Sequence, residues 1–195
     1  HRRLGIPAVF GSMPHSALRG HHPHLYDRVM APSTPLPLLS ARHQLAAMAA
    51  GDISAVELLD EHLARRDRLH DDINAVVTVD RDNARTTAAT IDNRRARGES
   101  LGPLAGLPMS VKDAIATAGL RTTGGAVELR DQIPSTDATV VARTRDADAV
   151  IFGKSNLPRW SGDIQATNDI FGTTNNPWDL SRGPGGSSGG AAAAL

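Results

Sequence analysis

The sequence has 195 residues, enough for one domain with a real core. Acidic and basic residues balance at 21 each, so bulk charge points neither to nucleic acid nor to an anionic membrane as partner. Cysteine is absent, which excludes disulfides and cysteine-based metal or nucleophile chemistry and fits a cytoplasmic protein; no apolar run approaches a membrane span.

Residues 1–36 hold five of the eight histidines and five of the twelve prolines, without sustained periodicity. They read as a disordered or non-native extension preceding a domain over 37–195. The chain begins at His1, so Met13 and Met30 are candidate starts. Arg2-Arg3 before Leu4–Phe10 is a faint export-signal pattern, short and broken by Pro7. The histidines show no ligand spacing on a helix face, and no metal is expected.

From Leu38 the pattern becomes regular. Ser40 caps a helix over Ala41–Ala50 that Gly51 ends. Ser54-Ala-Val-Glu57 is a capping box opening a second helix, with Leu59, Leu63 and Arg66 at helical spacing. His62 and His70 on it read as surface residues. Ile73–Val79 is a strand candidate, and Asp80 to about Arg97 an alanine-rich third helix. Met109-Ser-Val-Lys-Asp113 reads as a strand entering a loop over Thr117–Gly125. Ser135-Thr-Asp137 caps a helix over Ala138–Asp146, and Ala149–Phe152 is a buried strand. Helices alternating with apolar strands predict an α/β architecture, a sheet with helices around it.

Gly153-Lys154-Ser155 invites comparison with a phosphate loop. That motif requires a glycine where Asp148 stands, and the intervening Ala149–Phe152 is strand material, so nucleotide binding is rejected. Residues 157–179 are polar and loop-like, with Trp160, Phe171 and Trp178 as expected anchors. Asp163 and Gln165 are guesses for substrate contact. Arg182–Ala191 packs five glycines, a proline and the Ser187–Ser188 pair into ten residues, and Ala191–Leu195 starts a helix. A Gly/Ser loop running into an apolar helix is more often a site than a spacer.

Four stretches in order carry a resemblance: Gly102–Asp113, Gly153-Lys-Ser-Asn156, Gly172–Asp179 and Gly185-Gly-Ser-Ser-Gly-Gly190. Over about Leu38 to Leu195 the chain resembles the amidase signature family. The resemblance implies a mixed central sheet surrounded by helices, of which only the N-terminal part is present. It implies cleavage of carboxylic amides to carboxylate plus ammonia or amine, with no cofactor. In that family a lysine relays a proton through one serine to a nucleophilic serine, and the relay serine precedes a cis peptide bond within Gly-Gly-Ser-Ser-Gly-Gly or lies on it. By position Lys112 is the lysine and Ser187 the relay serine; Gly185, Gly186, Ser188, Gly189 and Gly190 are the supporting loop. Gly153–Asn156 is read as the turn that ends a core strand, and Lys154 is given no chemistry. A Ser-His-Asp arrangement is disfavoured because every histidine lies within the first 70 residues.

The family's nucleophile stands some two dozen residues beyond the serine pair in an Asp-x-Gly-Gly-Ser segment, absent from this chain. The chain by itself is therefore expected to be inactive on amides. Asp148, where the family usually has glycine, is expected to put a destabilising charge near a core strand. The expected partner is a small-molecule amide, with no nucleic acid and no membrane; oligomeric state is open. A non-catalytic product of a truncated gene is the alternative reading. An amidase-like subunit of a tRNA-dependent amidotransferase is set below both, because Leu157-Pro-Arg-Trp-Ser-Gly-Asp163 resembles general bacterial amidases.

Overall fold

The computed structural model describes residues 35–195. The export-signal pattern and the histidine-rich stretch lie outside the described residues. Helix α1 spans Ala41–Ala50, with the Ser40 hydroxyl accepting from His43 N–H and Gly51 in the left-handed region at its end. Helix α2 spans Ala55–Ile73 and starts with the full Ser54/Glu57 capping box. Its first two N–H groups, of Ala55 and Val56, donate to the Asp92 carboxylate at 2.8 and 3.1 Å. Asp92 belongs to α3 (Arg81–Ala96), so the orphan donors of one helix start are satisfied by the next helix.

The strand expected from Ile73 begins later. The helical pattern carries to Ile73, Asn74 closes α2 in the left-handed conformation, and β1 covers only Val76–Val79. Strand β2 spans Pro108–Lys112 and β3 spans Val150–Ser155, with α4 (Thr139–Asp146) between them. The strand order is β1-β3-β2, with β1 antiparallel and β2 parallel to β3, so the sheet is mixed. All six residues of β3 are buried. Its side chains alternate: Val150 and Phe152 pack into the cluster built by α2 and α3, and Ile151 packs with Leu120 and with Val141 of α4. Both faces are thus covered, the usual condition for a central strand without polar alternation.

Three further expectations change. Gly153–Ser155 is strand, not turn: Gly153 pairs with Val79 and Ser110, and a Cβ there would meet the Thr78 carbonyl oxygen at 2.5 Å. Helix α4 has Ala138 at its N-cap and no side-chain cap; the Asp137 carboxylate accepts from Ala118 N–H instead and pairs with Arg145. Asp148 is not an isolated charge. It sits at φ 64°, pairs with Arg94 at 2.6 Å and accepts from Gly102 N–H at 2.6 Å. Burial raises its pKa, but the Arg94 guanidinium and the Gly102 N–H outweigh that and leave it below the usual carboxylate value.

The 157–179 region holds a two-strand hairpin, β4 (Thr167–Asn168) and β5 (Gly172–Thr173). Trp178 is 95% exposed and Trp160 55%, so neither anchors it, and Phe171 is only half-buried beneath the Arg121 guanidinium. The anchor is polar. Buried Asn156 donates to Thr174 Oγ1 and Gly172 O, and buried Asn168 donates to Asn156 Oδ1 and Leu157 O.

Candidate active site

Lys112 is the last residue of β2 and Ser187 lies in the glycine loop, 75 residues later. The Lys112 Nζ donates to Ser187 Oγ at 2.7 Å. The Gly186–Ser187 peptide bond is cis. Ser188 follows as the N-cap residue of α5 (Gly189–Ala194), exposed and without a side-chain cap bond. Lys112 and Ser187 are both half-buried.

The loop is held by close backbone approach. A Cβ at Gly190 would strike the Ala75 and Asn156 carbonyl oxygens, both at 2.7 Å, and Gly190 N–H donates to that Asn156 oxygen. A Cβ at Gly186 would meet the Ile164 carbonyl carbon at 2.7 Å, and one at Gly189 the Ala166 methyl at 2.6 Å. Gly185 has φ 88°, a region L side chains avoid. Asn156 therefore joins the end of β3 to the start of α5. Sequence reading missed it; its only signal was its place after Gly153-Lys-Ser.

Ser187 lines a cleft with Ser161, Gly162, Asp163 and Ile164. The Asp163 carboxylate already accepts from Ile164 and Gln165 N–H groups. Gln165 lies against Gly183, where its Oε1 occupies the space a Cβ would need. A second, more apolar hollow near Phe152, Leu69 and Leu107 includes neither Lys112 nor Ser187.

Burial pulls the Lys112 ammonium below the ordinary lysine value. That favours the neutral amine, the form able to take a proton. Next to it, Asp113 is fully buried; its Oδ2 accepts from Thr123 Oγ1 at 2.5 Å and Thr123 N–H at 3.1 Å. Burial raises its pKa, with Thr123 opposing. Among the described residues no group of three or more His, Asp or Glu side chains could hold a metal ion, and no helix is long and apolar enough to cross a membrane.

A family model described as Amidase matches residues 57–195. The chain belongs to the amidase signature family. Its members are hydrolases of amide C–N bonds, and the mixed α/β fold agrees with theirs. The chain is 44% identical over 157 residues to a subunit of the glutamyl-tRNA(Gln) amidotransferase of Streptomyces avermitilis, covering 80% of this chain and 31% of the relative. It is 49% identical over 153 residues to the subunit of the same name from Acidothermus cellulolyticus, covering 78% and 30%. The solved structure of a bacterial aryl acylamidase matches with a TM-score of 0.78 and 32% identity, covering 82% of this chain and 34% of that one. The amidase signature chain thus spans about a third of the length of these relatives.

These relatives correct the expected partners. A small-molecule amide with no nucleic acid was expected, and the tRNA-dependent amidotransferase was set last. The curated relatives at 44–49% identity are instead named for an amidotransferase that acts with glutamyl-tRNA(Gln). That ranking rested on the seven residues 157–163, whereas the identity to these relatives is measured over 157 and 153 residues.

Proposed function

We propose that this chain is the relay-bearing part of the amide-cleaving subunit of a tRNA-dependent amidotransferase. The observation that carries amide cleavage is the 2.7 Å contact between Lys112 Nζ and Ser187 Oγ. Neutral Lys112 takes the Ser187 hydroxyl proton while Ser187 Oγ takes the proton of an attacking serine. That serine is the one the family carries beyond the Ser-Ser pair. Its oxygen bonds to the amide carbon. As the C–N bond breaks, the proton returns from Lys112 through Ser187 to the leaving nitrogen, and water then hydrolyses the acyl-enzyme. Lys112 holds the proton between the two transfers, which a desolvated lysine can do and an arginine cannot. The names of the curated relatives support the setting: an amidotransferase needs a donor carboxamide cleaved to free its nitrogen.

The test uses the full-length protein with its co-purifying partners, measuring ammonia release from carboxamides and amidation of glutamyl-tRNA. Lys112→Ala and Ser187→Ala should each lower kcat by on the order of 10²–10⁴ with the fold retained. Near-normal turnover in either variant would overturn the relay. Carboxamide hydrolysis by a partner-free chain, with no glutamyl-tRNA amidation, would overturn the amidotransferase setting alone.

A further inference from the structure

Only two of the 21 basic residues in the sequence are lysines, Lys112 and Lys154; the others are arginines. Both lysines stand side by side in the sheet, where Val111 pairs with Lys154 and Lys112 with Ser155. Elsewhere the chain meets its need for positive charge with arginine, as in the pairs Arg85–Asp60 and Arg159–Glu128. Lys154 is fully buried, and its Nζ donates to Ile115 O at 2.5 Å, Thr117 Oγ1 at 2.8 Å and Thr122 Oγ1 at 3.0 Å. An ammonium has three N–H groups, and here it has three acceptors. A guanidinium spreads five donors across a plane and does not suit so compact a set.

All three acceptors lie in the segment that leaves β2 directly after Lys112. That segment returns on itself: Ile115 N–H donates to Lys112 O, Gly124 N–H to Asp113 O, and Asp113 N–H to Ser155 O. The Asp113 carboxylate ties the far end through Thr123. Lys154 binds the middle, at 115, 117 and 122. The backbone that carries Lys112 is thus fixed on one side by its β3 neighbour and on the other by a loop that Lys154 holds.

We propose that Lys154 is a positioning residue for Lys112, holding the 113–124 loop so that the Lys112 amine stays at the Ser187 hydroxyl. The proposal rests on the reading of Lys112 as the proton acceptor. It adds a residue to that site without contact to Ser187. Burial lowers the Lys154 pKa to about 8, opposed by Asp113 and Asp137, the latter itself paired with Arg145. The protonated form therefore dominates at neutral pH, where all three N–H groups are available.

The experiment follows the titration of the Lys112 side chain by NMR in full-length protein carrying labelled lysine, with its signal assigned from Lys112→Arg. Wild type is compared with Lys154→Met and with Thr117→Val, which removes one acceptor at nearly constant volume. In both variants the Lys112 titration should move up towards the ordinary lysine value, because the loosened loop admits water. The kcat should fall on the order of 10–100-fold in Lys154→Met and less in Thr117→Val, with KM within about twofold. If Lys154→Met does not fold, Thr117→Val decides. An unchanged Lys112 titration in folded Thr117→Val overturns the proposal, as do kcat losses that merely track the folded fraction. Near-normal turnover in Lys112→Ala sinks the relay, and the titration shift still decides the positioning.

Discussion

At the scale of single residues, this chain shows how partners decide what a charge costs. Asp148 reads as a liability in the sequence because it replaces a usual glycine beside a core strand. The fold gives it Arg94 and the Gly102 N–H, at 2.6 Å each. Asp148→Ala should therefore destabilise the protein by about 1–3 kcal/mol, since it strands both donors and keeps the positive φ. Asp148→Gly should cost less, since it removes that backbone penalty. Chemical denaturation of both variants checks the order. His62 corrects its expected place on the surface. It lies half-buried against Gln44, with its ring near Phe152. Burial, with Arg65 adding, lowers its pKa to about 4 from 6.5. The unfolded chain then binds the proton first as pH falls, so stability should be lost between about pH 6.5 and 4, by on the order of 2–3 kcal/mol from this group. His62→Gln should flatten that part of the stability–pH curve.

At the scale of elements, helix starts and loop ends do most of the placing. The α2 capping box was legible because Ser54 and Glu57 stand at the right spacing, and Ser54→Ala should cost about 1 kcal/mol in thermal or denaturant unfolding. The end of α2 was not legible: Asn74 closes it by taking a left-handed turn, a choice that Asn permits but does not announce. The α4 cap failed for a related reason, since Asp137 finds a stronger use across the chain at Ala118 and Arg145. The glycine loop was read from its composition. What holds it was not, because its glycines pack on backbone of Ala75, Asn156 and Ile164 that lies far off in sequence; the hairpin beside it rests on the buried network of Asn156, Asn168 and Thr174, up to 18 residues apart. Asn156→Ala should loosen the hairpin, since its side chain bonds Gly172, Thr174 and Asn168, while its backbone contact with Gly190 stays. A proteolysis time course should then show cutting near 165–175 before the rest of the chain.

At the scale of the whole molecule, the sheet explains why an apolar run at 149–152 was enough to predict a central strand but not its length. Hydrophobicity ends at Phe152, while β3 continues through Gly153, Lys154 and Ser155, buried by contacts with β1 and β2 that no local pattern encodes. The amides of β3 should accordingly be among the slowest to exchange with solvent. The scarcity of lysine has a practical consequence. Lys154 is sealed in the core, so Lys112 is the single side-chain amine in this region that a reagent can reach. Desolvation also makes it a better nucleophile near neutrality than an ordinary surface lysine. Among the side chains of this region, an amine-selective acylating probe applied at mild pH would therefore mark Lys112, turning a compositional oddity into a covalent handle for occupancy and inhibition.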